Sequence, residues 1–463
     1  MDYFIDSKDG DDTNSGLLPE LAWKTIAKVN DFFSGDQSGN RICFHSDRGW
    51  KEQLDFNGQN VFGRKGELFV ITSYGEGSLP SIQGSDRALG WTLFIDNIWM
   101  KNNFSDIQDV YYQSKRLKRS LSLEVMAESQ TYYDVLSESI YLWLPNGENP
   151  NHVKVNVTAR DYGIRLKTRI GYVVIENIYV HHHRHDAISV ITYSNQATTD
   201  ITIQNCHTAF AGVDADYSID SSDGIVVYGA ASDNRMRNLK IINNYSHHNL
   251  NCAVEIGKQD GALIAGNRFE YCSNGLELWR ASSNCLYERN AVAHMNNENQ
   301  LNRNYKEAGA WIHFFDGEES TNNTFRQNVF LNCKKGIQVW SGDVDIFQNS
   351  FVDVRLTAID IKESNEGMIS VNNNMMVVNS SGSVQGLFID IPDSGSYTGD
   401  NNSFYSSNPK SRVVFKLDNE EIDFSQWKLD TGQDVASFVI RAVFPSDAPV
   451  SRTIDNDAWW VVK

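Results

Sequence analysis

The chain is poor in proline, with 8 in 463 residues. Together with 32 Gly and abundant Asn, Ser and Asp, this suits many short strands joined by tight turns. No apolar run exceeds strand length, so the sequence offers no membrane-spanning segment. Basic residues are in deficit: 41 Lys and Arg against 59 Asp and Glu leave a formal charge of −18. A nucleic-acid binder usually carries a basic stripe, so that class is disfavoured, and strongly anionic ligands are mildly disfavoured with it. The six cysteines (Cys43, Cys206, Cys252, Cys272, Cys285, Cys333) form no CxxC and no metal-ligand spacing. They read as buried thiols in a β core. The opening Met1-Asp2-Tyr3 has neither a basic n-region nor an apolar h-region. The expectation is a secreted or periplasmic protein whose signal peptide has been removed and a Met added.

What the chain does contain is a repeat. In residues 241–283 the phrase "NN, turn, xAVEIGK" returns as "GN, turn, xGLELWR", with Asn244 and Asn267 23 residues apart and Glu255 and Glu277 22 apart. Period-two apolar strands punctuated at a fixed interval predict a solenoid of β-coils. An Asn column extends it through Asn177, Asn205, Asn244, Asn267, Asn290, Asn328, Asn349 and Asn373. Asn tolerates left-handed backbone angles, and stacked Asn side chains can bond one another. Downstream of each Asn lies a strand: DAISVI, DGIVVY, CAVEIG, NGLELW, AGAWIH, KGIQVW, TAIDIK and QGLFID. Their third and fifth residues are apolar and point inward by alternation, which puts the fourth and sixth outside.

Outside the repeat, residues 24–33 have helical spacing and predict a short helix closing the open end of the solenoid. The Asp-rich loop DGDDTNSG before it lacks the distal Glu of a calcium loop and reads as a turn. From 91 to 160 the repeat is lost and a β-rich insertion is predicted. Its cluster Lys115, Arg116, Lys118 and Arg119 reads as a solvated face, with a lip for an acidic ligand as the alternative. The division is therefore 1–90, an N-terminal cap and first coils; 91–160, the insertion; 161–400, central coils carrying the site; and 401–463, C-terminal coils and strands.

The coil lengths, the Asn column and the opening "YFIDSKDGDD…AWKTIAKVN" resemble the right-handed parallel β-helix superfamily of pectate-lyase-like, carbohydrate-active enzymes. The closing EEIDFSQWKLDTGQDVASF resembles the final strands of such proteins. The resemblance implies an all-β, single-stranded right-handed parallel β-helix acting on carbohydrate. It does not choose a reaction, because this architecture hosts hydrolases, lyases, epimerases and adhesins.

Two steps of the Asn column are about fifteen residues longer than the rest. The extra residues, 209–222 and 295–307, are predicted to wall a cleft over the short coils carrying Glu255 and Glu277. In-register residues on adjacent parallel strands lie about 4.8 Å apart, near the carboxyl separation of a retaining glycosidase. Glu255 and Glu277 are thus the candidate catalytic pair, with Asp223 as a third candidate for an inverting geometry. Lys258 and Arg280 follow them in the same coils, either neutralising the acids or binding a uronate carboxylate. Outward Trp279, Trp311, His313 and Trp340 suit the C–H faces of sugars. The acids Asp214, Asp216, Asp220, Asp223 and Glu307 make the cleft negative, which favours hydrolysis of a neutral or weakly charged glycan. No cofactor is required; calcium is a candidate ligand of the Asp214–Asp223 cluster, whose spacing is not that of a coordination loop. The turn histidines His181, His182, His183, His185, His247 and His248 read as solvated or as satisfying backbone groups, with metal binding the lesser alternative. The expected protein is a monomeric polysaccharide-degrading glycoside hydrolase with an oligo- or polysaccharide as its partner. A β-eliminating polysaccharide lyase centred on Lys258 and Arg280 is the enzymatic alternative, and a glycan-binding adhesin or tailspike-like module the non-enzymatic one.

Overall fold

The computed structural model describes residues 1–104, 108–192, 199–213, 222–229, 235–280, 282–295, 308–312, 320–340, 342–362, 367–378, 387–406 and 414–440. The coil is built from three sheets of twelve strands each among the described residues. The first runs from Asp2–Ile5 to Tyr397–Asp400, the second from Leu54–Asn57 to Glu420–Asp423, and the third from Gly49–Trp50 to Phe438–Ile440. Each turn of chain adds one strand to every sheet, and neighbouring strands pair in parallel register apart from the antiparallel closing pair Val414–Leu417 and Glu420–Asp423. The interior is a continuous apolar column; Tyr287 stacks on Phe325 with ring centroids 4.5 Å apart, and Phe330 on Phe351 at 5.0 Å.

The second sheet breaks simple alternation at its entry. Ala253 and Val254 both belong to the core, whereas Cys252 points out towards the Glu277 carboxylate. The second residue of each strand faces a corner: a Cβ on Gly309 would lie 2.3 Å from Phe330 Cδ1, and one on Gly336 2.5 Å from Phe351 Cδ1. This is why that position carries Gly or Ala in eight successive coils, from Gly163 to Ala358. From the third residue on, alternation holds through Glu255 and Gly257.

The Asn column divides into two. Asn244, Asn267, Asn290, Asn328, Asn349, Asn374 and Asn402 form a buried ladder in which each side-chain oxygen accepts the backbone N–H of the Asn one coil before. Each amide also donates to a main-chain carbonyl and to the Oδ1 of the next rung, with Asp434 Oδ1 taking that place after Asn402. Asn177, Asn205 and Asn373 are not rungs; they sit one residue earlier, where φ is 58°, 52° and 59°. Left-handed tolerance thus explains one column and side-chain bonding the other.

Helix Ile26–Phe32 is capped by Thr25, whose hydroxyl accepts Lys28 N–H, and buries Ile26 and Val29 in the solenoid core. In the loop before it, Asp12 accepts the N–H groups of Lys24 and Thr25. At the other end the expected final strands are only partly strands: after Glu420–Asp423 the chain turns into helix Phe424–Thr431, capped by Asp423 and ended by Gly432 at φ 65°. Its one buried residue, Trp427, stacks on Phe415 at 4.7 Å and donates to Asp434.

Residues 85–158 build two smaller, mainly antiparallel sheets around their own core of Trp91, Val110, Ile140, Leu142, Leu144 and Val155. The basic cluster here is not simply a solvated face. Arg116 is nearly buried, pairs with Asp109 at 2.8 Å and donates to the carbonyls of His248, Ala211 and Gly212, pinning the insertion to the solenoid. Arg119 joins Asp109 at 3.2 Å. The reason is local: Asp109, 4% exposed, needs cationic partners once it leaves water.

Candidate active site

Strands Cys252–Gly257 and Asn274–Trp279 lie side by side in the second sheet, with Glu255 opposite Glu277. The column continues through Val226 on one side and Trp311, Gln338 and Asp360 on the other. Repeat length alone produces this: equal coils bring residues 22 positions apart into lateral contact.

The two carboxyl groups are held by different donors. Glu255 accepts Tyr228 Oη–H at Oε1 and Asn251 Nδ2–H at Oε2, the latter at 3.2 Å. Glu277 Oε2 accepts Asn274 Nδ2–H at 3.2 Å and the Cys252 thiol at 2.9 Å. The same sulfur is 4.0 Å from Glu255 Oε2, so the thiol stands between the two acids. Gly257 makes the Tyr228 contact possible, because a Cβ there would lie 2.3 Å from Tyr228 Cε1. Burial pushes the Tyr228 phenol well above its ordinary pKa, and the Glu255 charge adds to this, so the phenol keeps the proton it donates.

Asp223 opens the preceding strand and accepts Cys252 N–H at 2.8 Å, while its own N–H donates to Asp186 Oδ1 at 3.2 Å. Burial raises the Asp186 pKa to about 7 against the opposing Asp223 N–H bond, with the Glu255 charge raising it further. Four acids from consecutive coils therefore meet along one wall: Asp186, Asp223, Glu255 and Glu277.

The wall is not an open floor. Glu255 is 7% exposed, Glu277 2% and Trp311 5%; Trp279, Trp340, Lys258 and Arg280 are half-buried. The expectation of solvent-facing acids and tryptophans is corrected here, since the Tyr228 ring lies over Gly257 and Trp311 packs edge-on against Trp340 at 6.0 Å. Lys258 and Arg280 occupy left-handed turns at φ 54° and 49°, joined by Lys258 N–H to Arg280 O, and the Arg280 guanidinium lies 5.9 Å from the Trp279 ring centre. His313, Asp214, Asp216, Asp220 and Glu307 lie outside the described residues, as does most of both predicted wall loops. Phe388, taken as outward, is in the core: Leu387 pairs with Thr357 and Asp390 with Asp360, so that coil is displaced by two residues from the repeat frame. Beyond Trp340 a cavity of about 270 Å³ is lined by Trp340, Lys362, Asp390, Lys416 and Asn419.

Three of the six turn histidines are out of water and three are half-buried. His181, His182 and His183 are buried, and a ring stack runs along the third sheet from Tyr179 to His207 at 4.2 Å and on to Tyr245 at 4.8 Å. Burial holds His181 at a pKa of about 3, His207 at about 4 and His247 at about 2. Rings on successive coils cover one another's faces, which excludes water from side chains that a single coil would expose.

Sequence reasoning gave no site role to Asp186, Asn251, Cys252 and Asn274, and left Tyr228 only as an outward position. The signal was the polar first position of the strands, from which Asp223 alone was singled out; strict alternation hid Asp186 and Asn274.

A model of the right handed beta helix region matches residues 146–375. The chain is a right-handed parallel β-helix protein. Among solved structures, the β-helix is similar to the complex of XylC with xylose, at 12% identity and TM-score 0.61 over 91% of this chain and 86% of that one. It is also similar to the GH136 lacto-N-biosidase from Eubacterium ramulus, at 16% identity and TM-score 0.58 over 95% of this chain and 67% of that one. These likenesses show the fold. No curated protein sequence matches the β-helix. No helix among the described residues is long and apolar enough to cross a membrane.

Proposed function

We propose that the protein is a secreted, monomeric polysaccharide-degrading enzyme, a glycoside hydrolase that retains anomeric configuration. The observation that carries this is the register of Glu255 against Glu277, which places two carboxyl groups from adjacent strands on one wall. Lateral spacing of about 4.8 Å suits a nucleophile and an acid/base catalyst acting on the same glycosidic bond. The fold likeness to a protein crystallised with xylose and to a lacto-N-biosidase supports a glycan substrate.

The donors divide the roles. Glu255, which accepts Tyr228 O–H on one oxygen and Asn251 N–H on the other, is assigned as the nucleophile that attacks the anomeric carbon. Glu277 protonates the leaving oxygen and then takes a proton from the water that releases the sugar. Asn274 orients it by donating to Oε2. Asp223 holds the strand entry through Cys252 N–H. Trp279 and Trp340, half-buried on either side of the buried Trp311, carry the glycan along the helix axis towards the Lys362–Asp390 cavity, whose near edge at Trp340 lies two strands or roughly 10 Å from Glu277. Lys258 and Arg280 bind hydroxyls at the strand ends, and His313, outside the described residues, keeps its proposed substrate-binding role. No cofactor enters this scheme.

Incubation with neutral and acidic polysaccharides tests the proposal. New reducing ends without an unsaturated uronate chromophore are the expected result. Reducing ends accompanied by that chromophore place the chemistry on Lys258 and Arg280 as a lyase, and binding without turnover refutes an enzyme.

A further inference from the structure

Hydrolysis leaves unused the Cys252 thiol, which is buried between the two acids. We propose that Asp223, Cys252 and Glu255 form a binding site for a thiophilic divalent cation, with zinc as the type ion. Where Glu255 is the nucleophile proposed above, such an ion blocks it, so cation binding acts as an off-switch for that same site.

The ligand atoms of these three residues all lie within 4.8 Å of one another, and each residue is buried. Zinc bonds of about 2.0–2.3 Å to oxygen and sulfur bring ligand atoms to roughly 3.5 Å of each other, so the three side chains close by roughly 1 Å on binding. The sulfur selects the ion. Calcium and magnesium prefer all-oxygen shells, whereas a thiolate beside two carboxylates suits zinc, cobalt or cadmium.

A second observation points to a cation. The neighbouring Asp186, 1% exposed, has a buried Oδ2 with no hydrogen bond of normal geometry, Ser189 and Arg165 being among the polar groups that act on it, while its Oδ1 accepts the N–H of the proposed ligand Asp223. Glu277 Oε2, 2.9 Å from the sulfur, closes the opposite side. Four acids and a thiol packed together out of water need positive charge, and one divalent ion supplies it at the centre of the cluster. On binding, the thiol proton now shared with Glu277 leaves to solvent and sulfur bonds to the metal; no redox partner is involved.

Cobalt(II) titration of the whole protein under reducing conditions tests this, because sulfur–cobalt(II) charge transfer gives a near-ultraviolet band that oxygen ligands do not. The expected result is one cobalt per chain with that band, displaced by zinc. Cys252→Ser loses the band and weakens zinc binding at least 100-fold, and Asp223→Asn weakens it at least tenfold while keeping the band. Cys285→Ser, altered in the core, changes neither. Glu277→Gln, which abolishes the proposed hydrolysis, still gives the band, so failure of the hydrolase reading is read separately. A wild-type protein without the band, or a band that survives in Cys252→Ser, overturns the proposal. Should Cys252→Ser fail to fold, unchanged zinc affinity in Asp223→Asn overturns it equally.

Discussion

Replacing Asn290 by Ala tests the ladder that holds the coils in register. Asn290 Oδ1 accepts both the backbone N–H and the side-chain N–H of Asn267, at 3.0 and 2.9 Å. Its Nδ2 donates to Ile264 O at 2.9 Å and to Asn328 Oδ1 at 3.0 Å. The truncation keeps the Asn290 backbone but strands the Asn267 N–H, one Asn267 amide hydrogen and the Ile264 carbonyl, all out of water. A stranded buried group costs about 1–3 kcal/mol, so the expected loss is about 3–5 kcal/mol, a large share of a typical folding free energy. Asn243→Gly is the control: this exposed residue at φ 55° has the left-handed geometry that Gly already fills at Gly266 in the next coil. Its change is expected within about 0.5 kcal/mol. Urea denaturation gives the global difference, and amide exchange reads the Asn267 N–H directly, which is expected to exchange 100- to 1,000-fold faster in Asn290→Ala. Equal stability of the two variants, or unchanged exchange at Asn267, refutes the claim that the ladder locks the coils.

Three further outcomes follow from the geometry. Gly257→Ala puts a methyl group 2.3 Å from Tyr228 Cε1, so the ring must leave Glu255; the expectation is about 1–3 kcal/mol of strain and at least a tenfold fall in kcat, checked by melting and by turnover on the glycan that the screen identifies. Arg116→Ala leaves Asp109 buried with Arg119 as a cationic partner and frees three main-chain carbonyls; a loss of about 3 kcal/mol and faster limited proteolysis between residues 85 and 158 are expected. The folded-state pKa values of His181 and His247 lie below the ordinary 6.5, at about 3 and about 2. Below pH 6.5 the unfolded chain therefore takes up protons first, and the stability these neutral rings contribute, full above that pH, falls as pH drops towards 3. The slope is up to about 1.4 kcal/mol per histidine per pH unit, and His247→Gln is expected to flatten it in urea melts across pH 7 to 4.

The parts legible in the sequence were those that repeat. The phrase shared by residues 244–258 and 267–280 carries both coil length and face, and so implies the lateral meeting of Glu255 and Glu277 seen in the sheet register. What escaped depended on corners and on three dimensions. Cys252 and Asn274 face the acids because the chain turns a corner at the strand entry and breaks alternation there. Asn177 and Asn205 read as rungs because a one-residue offset between two Asn columns cannot be seen without backbone angles. The histidines looked solvated in a local turn motif, but rings from neighbouring coils cover them. Phe388 was misassigned because its coil is displaced by two residues. Residues 424–431 form a helix, ended by Gly432 in a left-handed turn.

The central claim is that Glu255 and Glu277 act as a pair on a glycosidic bond. The direct measurement is kcat for Glu255→Gln, Glu277→Gln and the double variant, with reducing ends assayed on the glycan the wild type cleaves. Each single change is expected to lower kcat by about 100- to 10,000-fold at unchanged folding, and the double variant to be little worse than the poorer single one. Full activity in both single variants would contradict the account.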